Sequence, residues 1–174
     1  MKLFLDGPER ECERLALEFA ATEKQIQAAS RRAVSKLGRW MKSAILRESS
    51  RDTGMPRKAL KGRLKMSVDR VAASTRVWVG RNAIPLSALN PRQTRSGVTA
   101  GPVQRRHAFM LPGRRGPVFK REGRSRLPIS VQYEDISKDI ERVLQTEIYA
   151  EAERKFLHFF RQELRWEKVK EGRS

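Results

Sequence analysis

Arginine is the residue whose number and placement in this chain can do chemistry. Ten cations (Arg92, Arg95, Arg105, Arg106, Arg114, Arg115, Lys120, Arg121, Arg124 and Arg126) fall in a span where Glu122 is the only acid. A guanidinium is planar, stays charged, and offers a fork of N–H donors that fits a phosphate or a carboxylate. Arg114 and Arg115 sit in Pro112-Gly113-Arg114-Arg115-Gly116-Pro117, a turn between the apolar runs Ala108–Leu111 and Val118–Phe119. That pattern predicts a β-hairpin with an arginine tip. Backed by Arg105 and Arg106, such a tip can touch a phosphate backbone without reading its sequence. Stacking on bases needs exposed aromatics, and Phe109 and Phe119 alternate with apolar neighbours, so they are expected in the core. Two partners stay open for these cations: the phosphates of nucleic acid, or acidic faces of neighbouring subunits. A solvated basic surface is the competing reading.

Catalysis has little support. The sequence holds no Gly-rich phosphate loop ending in Gly-Lys-Ser/Thr, no His-Glu-x-x-His and no Gly-x-Ser-x-Gly. His107 lies in the basic stretch with almost no carboxylate near in sequence to orient it as a general base. His158 falls between apolar helical positions and reads as a surface or packing residue. Glu134 and Asp135 imitate a carboxylate pair, but adjacent strand residues point to opposite faces. One cysteine, Cys12, and two histidines cannot close a structural zinc site or form an internal disulfide. No enzyme, cofactor or metal is therefore expected. The excess of 38 Lys and Arg over 20 Asp and Glu, a net charge of +18, favours polyanionic partners. No apolar run is long enough to span a bilayer, and the start Met1-Lys2-Leu3-Phe4-Leu5-Asp6-Gly7-Pro8 is too short and too soon acidic for a secretory signal.

The elements that must carry the arginines follow from periodicity. At 174 residues the chain reads as one domain, 1–174. Leu15, Phe19, Ile26, Ala33, Leu37, Trp40 and Ala44 share one face of a long helix, 9–48, whose other face carries Glu13, Lys24, Arg31, Arg32, Lys42 and Arg47. Such a helix is long for a compact domain, so a kink is expected near Gly38. Pro56 suits the first position of a short helix, Arg57 to Gly62. Leu64, Met66 and Val68 alternate with polar residues, and Thr75 to Gly80 alternates again. Together they predict an antiparallel hairpin with Val77 and Val79 on one face and Trp78 on the other. The stretch 91–126 is the least regular, and Thr94 to Arg106 is expected to be a mobile loop unless a partner holds it. Ile129, Val131 and Tyr133 continue as a strand. Asp135 or Ser137 caps a second long helix, 136–166, with Ile140, Val143, Leu144, Ile148, Ala152, Phe156, Phe159, Phe160 and Leu164 on its buried face. Residues 167–174 form a polar, frayed tail. The fold class is α+β: a central, mainly antiparallel β-sheet or small sandwich, 64–133, flanked by long N-terminal and C-terminal helices.

The centre also resembles a known family. Val77-Trp78-Val79-Gly80-Arg81-Asn82-Ala83-Ile84-Pro85-Leu86, Leu89 and Pro91-Arg92-Gln93-Thr94-Arg95-Ser96-Gly97-Val98 are similar to the minor tail protein Z family of long-tailed bacteriophages. So are Ala108-Phe109, Val118-Phe119-Lys120-Arg121, Arg126-Leu127-Pro128-Ile129 and, upstream, Gly54-Met55-Pro56-Arg57-Lys58-Ala59-Leu60. The order and spacing of these segments carry the resemblance over about residues 25 to 145, and no motif of the last thirty residues joins it. It implies a virion protein of the tail or neck, assembled in the host cytoplasm. That protein would act in tail completion at the head-proximal end of the tail and in head–tail joining, without enzymatic activity. It implies a ring of copies, most naturally a hexamer, beside tail terminator or tail tube and head–tail connector proteins, with genomic double-stranded DNA passing through. Trp78, Gly80, Pro85, Leu86, Phe119, Leu127 and Pro128 are then fold-forming positions. A sequence-nonspecific nucleic-acid-binding protein is the alternative.

Overall fold

A computed structural model describes residues 9–69, 71–111 and 116–172. Helices at both ends flank small antiparallel sheets, so the class is α+β. The chain divides into two compact units, each built from separated stretches: residues up to Ile45, Leu64–Val79 and Leu144 onward in the first, Leu46–Arg63 and Gly80–Val143 in the second.

The first unit is mainly helical, with one β-hairpin. Helix α1 runs Glu9–Glu18 and α2 runs Glu23–Thr53, with α2 continuing into the second unit. The expected single helix 9–48 is therefore two. Its break lies at Phe19–Thr22 and not at Gly38, through which α2 is continuous. Two local devices make the break. Ala20 takes a left-handed φ of 45°, Ala20 N donates to Leu17 O and Ala21 N to Ala16 O, the paired bonds of a Schellman stop. Thr22 and Gln25 then form a capping box: Gln25 Oε1 accepts from Thr22 N at 2.8 Å and Thr22 Oγ1 from Gln25 N at 3.4 Å. Gly38 has a different use. Strands β1 (Leu64–Asp69) and β2 (Ser74–Val79) pair antiparallel, and a Cβ on Gly38 would fall on Thr75 Oγ1 and lie 3.0 Å from Met66 Sδ. The missing side chain lets the hairpin approach α2 closely. Val77 and Val79 are buried and Trp78 is half exposed, as the alternation requires.

Helix α4 spans Ser137–Val143, a wider π-helical turn follows at Leu144–Tyr149, and α5 runs Ala150–Glu171. Asp135 Oδ1 accepts from Ser137 N at 2.9 Å, which starts α4 as expected. The tail expected to fray from residue 167 is helical to Glu171, where Gln25 and Lys168 both donate to its carboxylate. The expected buried face is buried or half-buried at every position, and Phe160 and Leu164 pack with Leu15, Ala29 and Ala33 in one core. Burying a phenylalanine of this kind contributes about 2–3 kcal/mol.

The second unit holds α3 (Arg57–Lys61) and eight short strands. These are β3 (Ile84–Pro85), β4 (Arg92–Thr94), β5 (Gly97–Ala100), β6 (Val103–Arg106), β7 (Ala108–Met110), β8 (Val118–Arg121), β9 (Ile129–Val131) and β10 (Tyr133–Glu134). They form sheets of order β10-β3, β4-β5-β6 and β7-β8-β9, all antiparallel. The expected mobile loop Thr94 to Arg106 is thus mostly strand, and its register is set by burial. Val98, Ala100 and Val103 are buried, while Gly97 brings the turn against β6 so closely that a Cβ would fall on Arg105 O. The Leu86–Leu89 turn, with both leucines buried, packs along β5.

Candidate interaction surface

The two three-stranded sheets position the arginines. Arg92 lies opposite Thr99 on β4, Arg95 sits in the β4–β5 turn, and Arg106 lies opposite Gly97 on β6. Lys120 lies opposite Ala108 and Arg121 opposite Ile129. Arg124 and Arg126 occupy the loop from β8 to β9. Arg92, Arg95, Arg106, Lys120, Arg121, Arg124 and Arg126 are all exposed, and among the described residues none of them forms an ion pair. Arg121 lies over the Phe109 ring, 5.7 Å from its centroid, and Phe109 and Phe119 are half-buried with centroids 6.0 Å apart.

Arg105 differs. It points the other way on β6 and its guanidinium donates to Glu134 on β10. Arg105 and Arg106 therefore have separate roles, since the period-two alternation of a strand sends them to opposite sides. The hairpin β7–β8 exists, but its tip, with Arg114 and Arg115, lies outside the described residues.

Of the positions the resemblance marks as fold-forming, Leu86 is fully buried, Phe119 and Pro85 are half-buried, and Gly80 is buried with its N–H donating to Arg63 O. Trp78 and Leu127 are surface side chains, at 50% and 66% exposure. Lys65 Nζ lies 5.8 Å from the Trp78 ring centroid. Pro128 follows Leu127 through a cis peptide bond.

The groups that invite catalytic readings are scattered. His107 is exposed at the β6–β7 junction with φ 60°, its N–H donating to Ser96 O. His158 is exposed, 3.1 Å from the Gln162 amide. It borders an open cleft of about 290 Å³ between α1 and α5, with Glu11, Arg14 and Arg161. Burial and the neighbouring Glu11 push the Cys12 thiol up, away from the thiolate. Among the described residues no three His, Cys, Asp or Glu groups converge on a metal-sized site.

A charged cluster escaped the sequence reading. Arg32, partly exposed, is not free on the solvent face: it bonds Glu163 and Glu167 of α5, and Lys36 Nζ reaches Glu163 at 2.6 Å. Glu163 is 5% exposed. Burial pushes its carboxyl up, but hydrogen bonds from Lys36 and Arg32 outweigh that and hold it below its ordinary value. Desolvation pulls the Arg32 guanidinium down, and its two carboxylates more than offset this and raise it. An acid three residues after Phe160, on an otherwise apolar face, was the available signal.

No family model, no curated protein and no solved structure matches the chain.

Proposed function

We propose that this chain is a structural, non-enzymatic subunit of a long-tailed phage virion. It completes the tail at its head-proximal end and joins tail to head as a ring, most naturally a hexamer. Two things support the reading: the ordered segments similar to the minor tail protein Z family, and the arginine surface. The observation that carries it is the set of exposed cations from Arg92 to Arg126 that have no acidic partner within the described residues. Charges left uncompensated on strands and their connecting loops are available to another molecule, whether the DNA that passes the tail lumen or an acidic neighbour.

The test is location. Gold-labelled antibody against the chain, imaged on purified tailed particles, decorates the head-proximal end of the tail. Label elsewhere, or none on particles, overturns the assignment. Replacing Arg92, Arg106, Arg124 and Arg126 together by glutamate leaves a folded chain but particles that fail to join heads or retain DNA. Normal infectivity from that variant contradicts it. The same exposed cations favour one alternative, a free nucleic-acid-binding module. That reading requires the isolated chain to bind duplex DNA with affinity falling steeply as salt rises.

A further inference from the structure

Two edges of the β7-β8-β9 sheet are treated differently. The β7 edge is closed by a side chain: Gln93 Oε1 accepts from Met110 N at 2.9 Å, and its Nε2 donates to Ala108 O at 3.3 Å and Gly97 O at 2.9 Å. The amide stands in for a neighbouring strand. The β9 edge has no such cover. Glu122 N donates to Pro128 O and Gln132 N to Val118 O, which sets the phase of pairing with β8. The N–H and C=O of Ile129 and Val131 then point away from β8, and among the described residues nothing bonds them. Next to this edge Leu127 is 66% and Ile129 39% exposed. Arg124 and Arg126, in the loop that leads into β9, are exposed and without an ion pair among the described residues, while Arg121 on β8 lies over the Phe109 ring of β7.

Unpaired strand edges are normally blunted by charge or proline within the strand, by a bulge, or by covering. β9 itself, Ile-Ser-Val, carries no charge, proline or bulge and no cover among the described residues; its three-residue length and Pro128 just before it are what limit its pairing. We propose that the outer edge of β9 receives an extended, acidic segment of a partner protein as an added strand. Backbone hydrogen bonds to Ile129 and Val131 supply the affinity, and Arg124 and Arg126 select carboxylates. This deepens the assembly reading and rests on it for the partner being a protein. It gives the arginines near β9 an acidic neighbour rather than DNA.

The test uses the full chain and a dye-labelled peptide of alternating glutamate and valine with blocked ends. The same peptide N-methylated at every second residue, which removes one hydrogen-bonding edge, is the control. Expected is binding that weakens at least about tenfold with the methylated peptide and with Ile129→Pro, a change that deletes one outward N–H. Arg124→Ser/Arg126→Ser weakens it too, with far-UV circular dichroism unchanged in both variants. Equal binding of the two peptides, or indifference to Ile129→Pro, overturns the added strand and leaves only a charge contact. No binding of the unmethylated peptide also overturns it. A DNA duplex that displaces the peptide and binds Ile129→Pro as well as the parent assigns the arginines to nucleic acid. Self-association of the chain alone, abolished by Ile129→Pro, assigns the edge to a second copy. Each of those outcomes removes the acidic-segment proposal while the tail location, tested by antibody labelling, can still stand.

Discussion

The seam between α2 and α5 and the outer faces of β4 to β9 use the same side chains to opposite ends. On the seam, Arg32 and Lys36 are consumed by Glu163 and Glu167. On the sheets and their connecting loops, seven exposed cations have no described acidic partner, and of the described cations there Arg105 alone, turned toward Glu134, resembles the seam. A net charge of +18 says nothing about which arginines are available. Pairing does. The seam's charges hold two helices together, and those of the sheets have no described acidic partner.

The contrast breaks most visibly at Glu163. Glu163→Ala strands Lys36 and leaves Arg32 with Glu167 alone; both cations are about two-fifths exposed, so the loss falls below that of a fully buried pair. About 2 kcal/mol is expected, read as a lower urea midpoint. No change would mean that the seam charges are as idle as those on the sheets. Next is Gly38→Ala. The new methyl must displace Thr75 Oγ1 and Met66 Sδ, costing about 1–3 kcal/mol, while better helix propensity returns up to about 1. A net loss in thermal stability is expected.

Acid sharpens the comparison. Glu163 has a lowered pKa when folded, so its contribution is complete above the ordinary value of 4.5 and is lost as pH falls through its folded value. Asp69, Asp135 and Glu171 are lowered as well and act in the same direction. Stability should therefore fall below about pH 4.5, and Glu163→Gln should flatten that fall in thermal melts. The smallest effects on stability lie on the sheets. Arg105→Ala should cost up to about 1 kcal/mol because it frees part-buried Glu134. Arg106→Ala should stay within about 0.5 kcal/mol yet elute earlier from a heparin column. Equal stability losses for these neighbours would erase the distinction drawn between them.

Much of this was legible in the residues. The buried stripe from Ile140 to Leu164 recurs at helical steps, and the hairpin Leu64–Val79 alternates cleanly. The Phe19–Thr22 break was hidden because Leu15, Phe19 and Ile26 stay in phase with one continuous helix, and Ala20 takes the left-handed place where glycine is the usual signal. Thr22 and Gln25 spelled a capping box that went unread. The sheet β4-β5-β6 was masked by its arginines: three- and four-residue strands offer too few alternations to outweigh charge. The wide turn at Leu144–Tyr149 leaves no trace, since its apolar spacing fits an ordinary helix equally well. Which arginines are paired depends on contacts such as Arg105–Glu134, 29 residues apart, which no local pattern encodes.

The first unit is closed by residues that lie very far apart along the chain, Arg32 meeting Glu163 across 131 positions. On the ribosome, the apolar stripe of α1 and α2 emerges long before α5 can cover it. Contacts of such high sequence separation form late and slowly. The newborn chain therefore spends the interval with a sticky amphipathic rod in the open, a natural client for chaperones, and its yield on expression should depend on their supply more than on the final stability of the fold.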